Sequence, residues 1–153
     1  MYRSVNEIDW QNWNPVVRAT LMFVMCKGQI LLIHKKRGFG QGKINGPGGK
    51  LEPGETPLEC AIRETQEELC VTPTGVKKAG ELYFQFTDKN AIHGYVYTAT
   101  GYEGEPTETD EAIPLWCSID ELPFAIAMIN DLMTDVKTQY VEFNLQVVTF
   151  PHI

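Results

Sequence analysis

The chain has no cysteine pair at CxxC spacing, and no histidines stand beside its four cysteines (Cys26, Cys60, Cys70 and Cys117) at zinc-site spacing. Scattered thiols of this kind are expected to be free and buried, which suits a reducing, cytoplasmic compartment. No apolar run approaches the length of a membrane span. The start, MYRSVNEIDWQNWNP, is polar and aromatic without an apolar centre, so it does not read as a signal peptide. Repeats and low-complexity tracts are absent. Positive charge is scarce. Thirteen Lys and Arg stand against 20 Asp and Glu, a net charge of −7, which argues against nonspecific binding to nucleic acid or anionic membrane. The glycine-rich stretch lacks the GxxxxGK[ST] order of a P-loop, and no DxDxDG calcium loop is present. What remains, 43% hydrophobic and 22% charged over 153 residues, is the composition of a single globular domain with a proper core.

The most informative stretch is residues 48–71, GGKLEPGETPLECAIRETQEELCV. Thr56 suits an N-cap, Pro57 the first helical position, and Glu59 completes a capping box. The helix so started carries an apolar stripe of Leu58, Ala61, Ile62, Thr65 and Leu69. Glu64, Glu67 and Glu68, at i, i+3 and i+4, share a face expected to lie away from that stripe. Like charges so arranged repel, and a divalent cation is the obvious reason to gather them. Arg63 adjoins this face and is placed to orient a carboxylate. A solvated acidic helix face is the plain alternative.

Around this helix the chain reads as one α/β domain over residues 16–153, with residues 1–15 as an extension. Trp10 and Trp13 are expected to pack on a surface, of the domain or of a second copy, with cover of a site as the alternative. Residues 16–25 and 29–35 read as a hairpin turning at Lys27-Gly28, with Thr20 the polar group on an apolar strand. Residues 36–49 form a glycine-rich loop whose amides can approach an anion, with Lys35, Lys36, Arg37, Lys43 and Lys50 clustered around the acidic motif. Residues 72–79 read as a connector, 80–87 and 92–100 as a second hairpin, 101–111 as an acidic loop and 114–118 as a short strand. A further helix over 123–136 and a last strand over 140–150 are expected.

The spacing Gly49, five residues, Glu55, seven residues, Arg63-Glu64, two residues, Glu67-Glu68 and finally Val71 resembles the Nudix box. The likeness extends through HKKRGFGQGKINGPGGKLEPGET, GELYFQF and ETDEAIPLWCSIDELPF, which are similar to MutT-like triphosphatases of oxidised purine nucleotides. The resemblance implies an α/β/α sandwich with a mixed sheet and a Mg2+-dependent hydrolase, with Mn2+ as a substitute metal. It places the metal on the Gly48 carbonyl and on Glu64, Glu67, Glu68 and Glu111. It places nucleotide contacts at Thr20, Lys35, Asn45, Gly49 and Lys50, and walls of the base pocket at Phe39, Phe84 and Phe86. Asn130 and Asp131 fall where the family sets two aspartates against the purine edge, and Met128 where the animal enzymes have a stacking tryptophan. Cys70 replaces the box glycine, and Thr65 an aliphatic residue.

The implied reaction is attack of water on a phosphorus within the triphosphate, releasing a nucleoside monophosphate and pyrophosphate. Metal bound by the glutamates would offset charge and activate water. Glu67 or Glu111 would accept the proton, and Lys35 with the glycine loop would steady the phosphates. Asp131 can accept from guanine N1–H and its amino group, which implies guanine over adenine, with plain and 8-oxo-dGTP not distinguished. The alternatives are a hydrolase of nucleotide sugars or dinucleoside polyphosphates, and a non-catalytic nucleotide sensor. The partner is a small nucleotide, and the chain acts as a monomer or homodimer.

Overall fold

The computed structural model describes residues 7–38, 40–86 and 90–121. Phe39, the expected helix over 123–136 with Met128, Asn130 and Asp131, and the expected strand over 140–150 lie outside the described residues.

Strands β1 (Val17–Cys26) and β2 (Gln29–Lys35) form the expected antiparallel hairpin. Its turn, Lys27-Gly28, holds both residues at positive φ (50° and 74°), which matches the twist of a two-residue hairpin. The short β3 (Ile44–Asn45) follows the glycine loop, and α1 (Pro57–Leu69) follows the turn beyond it. Then come β4 (Val71–Thr74), β5 (Lys77–Gln85), β6 (Ala91–Ala99), β7 (Gly101–Gly104) and β8 (Ala112–Ser118). A 3-10 turn, Ile119–Glu121, closes the described part.

The main sheet runs β3-β2-β1-β6-β5, with β8 paired along β2. β1 and β6 are parallel, from Val17 beside Ile92 to Val24 beside Ala99, and the other pairings are antiparallel. β4 and β7 make a separate two-stranded sheet. The connector expected over 72–79 is therefore mostly strand, and the acidic loop expected over 101–111 begins with one. Pro73, Gly101 and Gly104 hide these strands, because neither residue type favours a ladder.

One face of the sheet packs α1 over Met22, Val24, Leu31, Ile33, Tyr97 and Ala99, with Ala61, Leu69 and Val71 closing the core. The helix starts as its sequence dictates. Thr56 accepts from the Glu59 amide, and the Glu59 carboxylate accepts from the Thr56 amide. Its buried side chains are Cys60, Ala61, Thr65, Glu68 and Leu69, whereas Leu58 is 42% exposed. The buried stripe is thus turned from the expected one and includes an acid. Thr65 satisfies its buried hydroxyl by donating to the Ala61 carbonyl at 2.7 Å.

Cys70 ends the helix at φ 60°, ψ 25°, in the left-handed region where a Cβ is strained. Cys70→Gly is expected to stabilise the fold by about 1 kcal/mol. A urea midpoint no higher than the parent's would contradict that reading.

Candidate active site

The glycine turn is attached to the sheet through its main chain. Thr20 N–H donates to the Gly49 carbonyl, Met22 N–H to that of Pro47, and Leu51 N–H to that of Arg18, each within 2.8 to 3.0 Å. Residues 47–51 therefore run along the first half of β1 as a strand would. The approach is close. A Cβ on Gly48 would lie 1.9 Å from the Thr20 carbonyl oxygen, and one on Gly49 would lie 2.3 Å from the Glu64 carboxyl carbon. Glycine at 48 lets the turn lie against β1, and glycine at 49 leaves the Glu64 carboxylate its place.

Arg63 is the hub of the exposed part. Its guanidinium donates to both oxygens of Glu55 (2.7 and 3.0 Å), to Glu64 and Glu67 (3.0 Å each), and to the Lys50 carbonyl. The Arg63 hydrogen bonds pull the Glu55 carboxyl down to about 2. The spacing alone did not assign Glu55 this role, although its place in the box was visible.

Glu68 is the inner acid, 1% exposed. It accepts from the Gly48 amide at 3.1 Å and lies 3.6 Å from the Lys35 ammonium. Burial pushes its carboxyl up to about 7 against the pull of Lys35 and the Gly48 amide, and the charges of Glu64 and Glu111 add to the rise. Burial also raises Glu64. Thr109 ties the 105–111 segment to α1 by donating to the Glu68 carbonyl at 2.9 Å. Glu111 pairs with Arg37, and Lys36 pairs with Glu108 at 2.7 Å, so the basic loop straps the acidic one.

The folded protein thus holds a proton on Glu68 up to about pH 7, whereas the unfolded chain releases it near 4.5. That bound proton favours the fold below pH 4.5, and the gain is lost as pH rises towards 7. Thermal stability of the metal-free protein is expected to fall across this window, and less so in Glu68→Gln. Equal slopes for the two proteins would contradict the burial argument.

The structure brings Lys35, Gly48, Gly49, Lys50, Arg63, Glu64, Glu67 and Glu68 into one neighbourhood, with Glu111 close enough for its charge to act on Glu68. The expected separation of the glutamates from the buried face fails at Glu68. Thr20 lies in the core. It is 2% exposed on the α1 face, with its hydroxyl 3.3 Å from the Cys60 sulfur. Asn45 stands on β3, its side-chain oxygen accepting from the Gly46 amide at 2.8 Å. Phe84 and Phe86 stack with ring centroids 6.4 Å apart. The register, Thr20 beside Tyr95, Leu82 beside Gly94 and Phe84 beside Ile92, puts Phe84 on the sheet face opposite Thr20.

Among the described residues, no three His, Cys, Asp or Glu side chains converge as a metal-binding group. Arg63 and Lys35 occupy the carboxylates of Glu64, Glu67 and Glu68 in this arrangement. The donor set nevertheless fits a hard dication. It is all oxygen, and burial with mutual repulsion presses two of its acids towards protonation, a strain that a bound cation relieves.

A mixed sheet backed by a helix that gathers carboxylates under a glycine turn places the chain in the α/β class. The chain belongs to the NUDIX domain family, whose sequence profile matches residues 15–136. It is 42% identical over 115 residues to an oxidized purine nucleoside triphosphate hydrolase of Danio rerio, covering 74% of each chain. It is 38% identical over 107 residues to the protein of that description in Mus musculus, covering 69% of each. Among solved structures, a MutT protein of Bacillus halodurans superimposes with a TM-score of 0.64 at 26% identity, over 82% of this chain and 86% of that one. The fold is thus the Nudix α/β fold. Nudix hydrolases generally need a divalent metal. No described helix is long and apolar enough to cross a membrane.

Proposed function

We propose that this chain hydrolyses purine nucleoside triphosphates of the 8-oxo-dGTP kind to the nucleoside monophosphate and pyrophosphate, with Mg2+ as its metal. The observation that carries the reading is the continuous acidic site, from Gly48 through Glu68, in a chain similar along most of its length to the oxidized purine hydrolases.

Glu64, Glu67, Glu68 and Glu111 would hold the metal, with the Gly48 carbonyl as a further oxygen. When bound, the metal supplies positive charge for the phosphate oxygens and lowers the pKa of water. The chain's own groups do the rest. Arg63 fixes Glu64 and Glu67 against α1, and Gly48 N–H fixes Glu68. Glu67, 52% exposed at the rim, is open to water and suits the proton acceptor. Lys35 stands beside Glu68 and is in reach of a phosphate that displaces this pairing. Phe84 and Phe86 offer flat surface for a base, and Asn45 a group that can donate and accept.

Guanine is the expected base. The deciding experiment is a panel of 8-oxo-dGTP, the four dNTPs, ADP-ribose and a dinucleoside polyphosphate with Mg2+, with products identified. Pyrophosphate from the guanine nucleotides supports the reading. A pyrimidine preference refutes the pocket, preference for ADP-ribose or the dinucleotide favours the other hydrolase class, and release from none of them favours a sensor.

A further inference from the structure

We infer that the N-terminal segment, through Trp13 and Gln85, is a positioning device for the wall that carries Phe84 and Phe86, and so tunes how tightly the base is held. The inference rests on the proposed function for the identity of that wall, but its geometry is independent of it.

Trp13 stands before the first strand and packs far along the chain. Its ring meets Tyr83 edge-on at 5.5 Å and His93 at 6.4 Å, and Trp10 caps it at 5.7 Å. The polar end of the indole is what matters here. Its Nε1–H donates to the Gln85 side-chain oxygen at 2.9 Å. The amide nitrogen of Gln85 then donates to two main-chain carbonyls, Phe86 at 3.0 Å and Asn90 at 3.1 Å. Those residues form the neck of the β5–β6 hairpin, where Phe86 N–H donates to the Asn90 carbonyl at 2.8 Å. Val16 N–H donates to the Ala91 carbonyl at 2.8 Å and brings the segment alongside.

Gln85 lies between the two phenylalanines, so its side chain and theirs point to opposite faces. Fixing Gln85 from one face therefore fixes the pleat that presents Phe84 and Phe86 on the other. Shape and polarity both single out this contact. A tryptophan serves merely as apolar cover at many surfaces, whereas here its one donor meets an acceptor whose other end is spent on the hairpin neck. Trp13 and Gln85 are positioning residues, acting through the hairpin neck.

The test uses the full chain with Trp13→Phe, which keeps a ring but removes the donor, and Gln85→Met, which keeps length but removes all three bonds. KM for 8-oxo-dGTP and dGTP is expected to rise about fivefold in each, with kcat unchanged. Amide hydrogen exchange at Phe86, followed by NMR, is expected to quicken about tenfold. Trp10→Phe, which leaves the Gln85 bond in place, is expected to stay within about twofold on both readings. Unchanged exchange at Phe86 in both variants overturns the inference. So does a fall in kcat with KM constant, or an equal response from Trp10→Phe. If the parent fails to hydrolyse guanine nucleotides, the functional reading falls, and the exchange measurement alone decides the coupling.

Discussion

Glu68→Gln is expected to lose about two to three orders of magnitude in turnover of 8-oxo-dGTP at saturating Mg2+, while keeping the fold. Shape is preserved, because glutamine is isosteric and its oxygen can still accept from the Gly48 amide. Charge is not preserved. Among the described residues this acid alone both accepts from the glycine turn and pairs with Lys35, so its replacement removes the negative charge that a bound dication would draw out at the centre of the site. Burial already disfavours the charged form, so neutralising it costs little stability near neutral pH. The two consequences separate cleanly. Steady-state rates report the first and a melting curve the second. Near-normal turnover with Mg2+ present would sink the assignment of this acid to the chemistry.

The second large effect is on folding. Gly48→Ala is expected to destabilise the protein by about 3 kcal/mol, or about 10 °C in melting temperature. Backbone conformation is not the cause, because Gly48 is not among the residues at positive φ. Space is the cause. The new methyl group would stand 1.9 Å from the Thr20 carbonyl oxygen and 3.1 Å from the Leu21 Cα, and neither can yield without moving β1. Gly49→Ala makes the informative contrast. There the obstacle is the Glu64 carboxylate, at 2.3 to 2.5 Å, which is the end of a side chain and can swing away. That variant is expected to fold and to lose about ten- to a hundredfold in activity, because an acid of the site is displaced. A Gly48→Ala protein as stable as the parent would refute the close approach. A fully active Gly49→Ala protein would show that Glu64 need not sit where it does.

Local chemistry was legible, and long-range placement was not. The cap at Thr56 and Glu59, the Lys27-Gly28 turn and the second hairpin all depend on neighbours in sequence, so pattern alone finds them. The depth of Glu68 was hidden by its charge. Its spacing from Ala61 and Thr65 is that of a core-facing position, but an acid there reads as surface until the glycine turn and Lys35 are seen to close over it. Thr20 was ambiguous in sequence. A polar residue on an apolar strand can face a pocket or be a tolerated strand threonine, and here its hydroxyl lies against the Cys60 sulfur inside the core. Pairings such as Arg37 with Glu111, or Trp13 with Gln85, join residues more than seventy positions apart and leave no local trace.

The parallel pairing of β1 with β6 bears on how the molecule is made. A ribosome delivers β1 first, and its hairpin can close on β2 at once, while residues 47–51 later cover the first half of one edge. The opposite edge has no partner until residues 91–99 emerge. During that interval a nascent chain carries a naked apolar strand, the kind of template on which unfinished polypeptides stick to one another. The wait is built into the topology, and any slowing of translation between the two strands lengthens it.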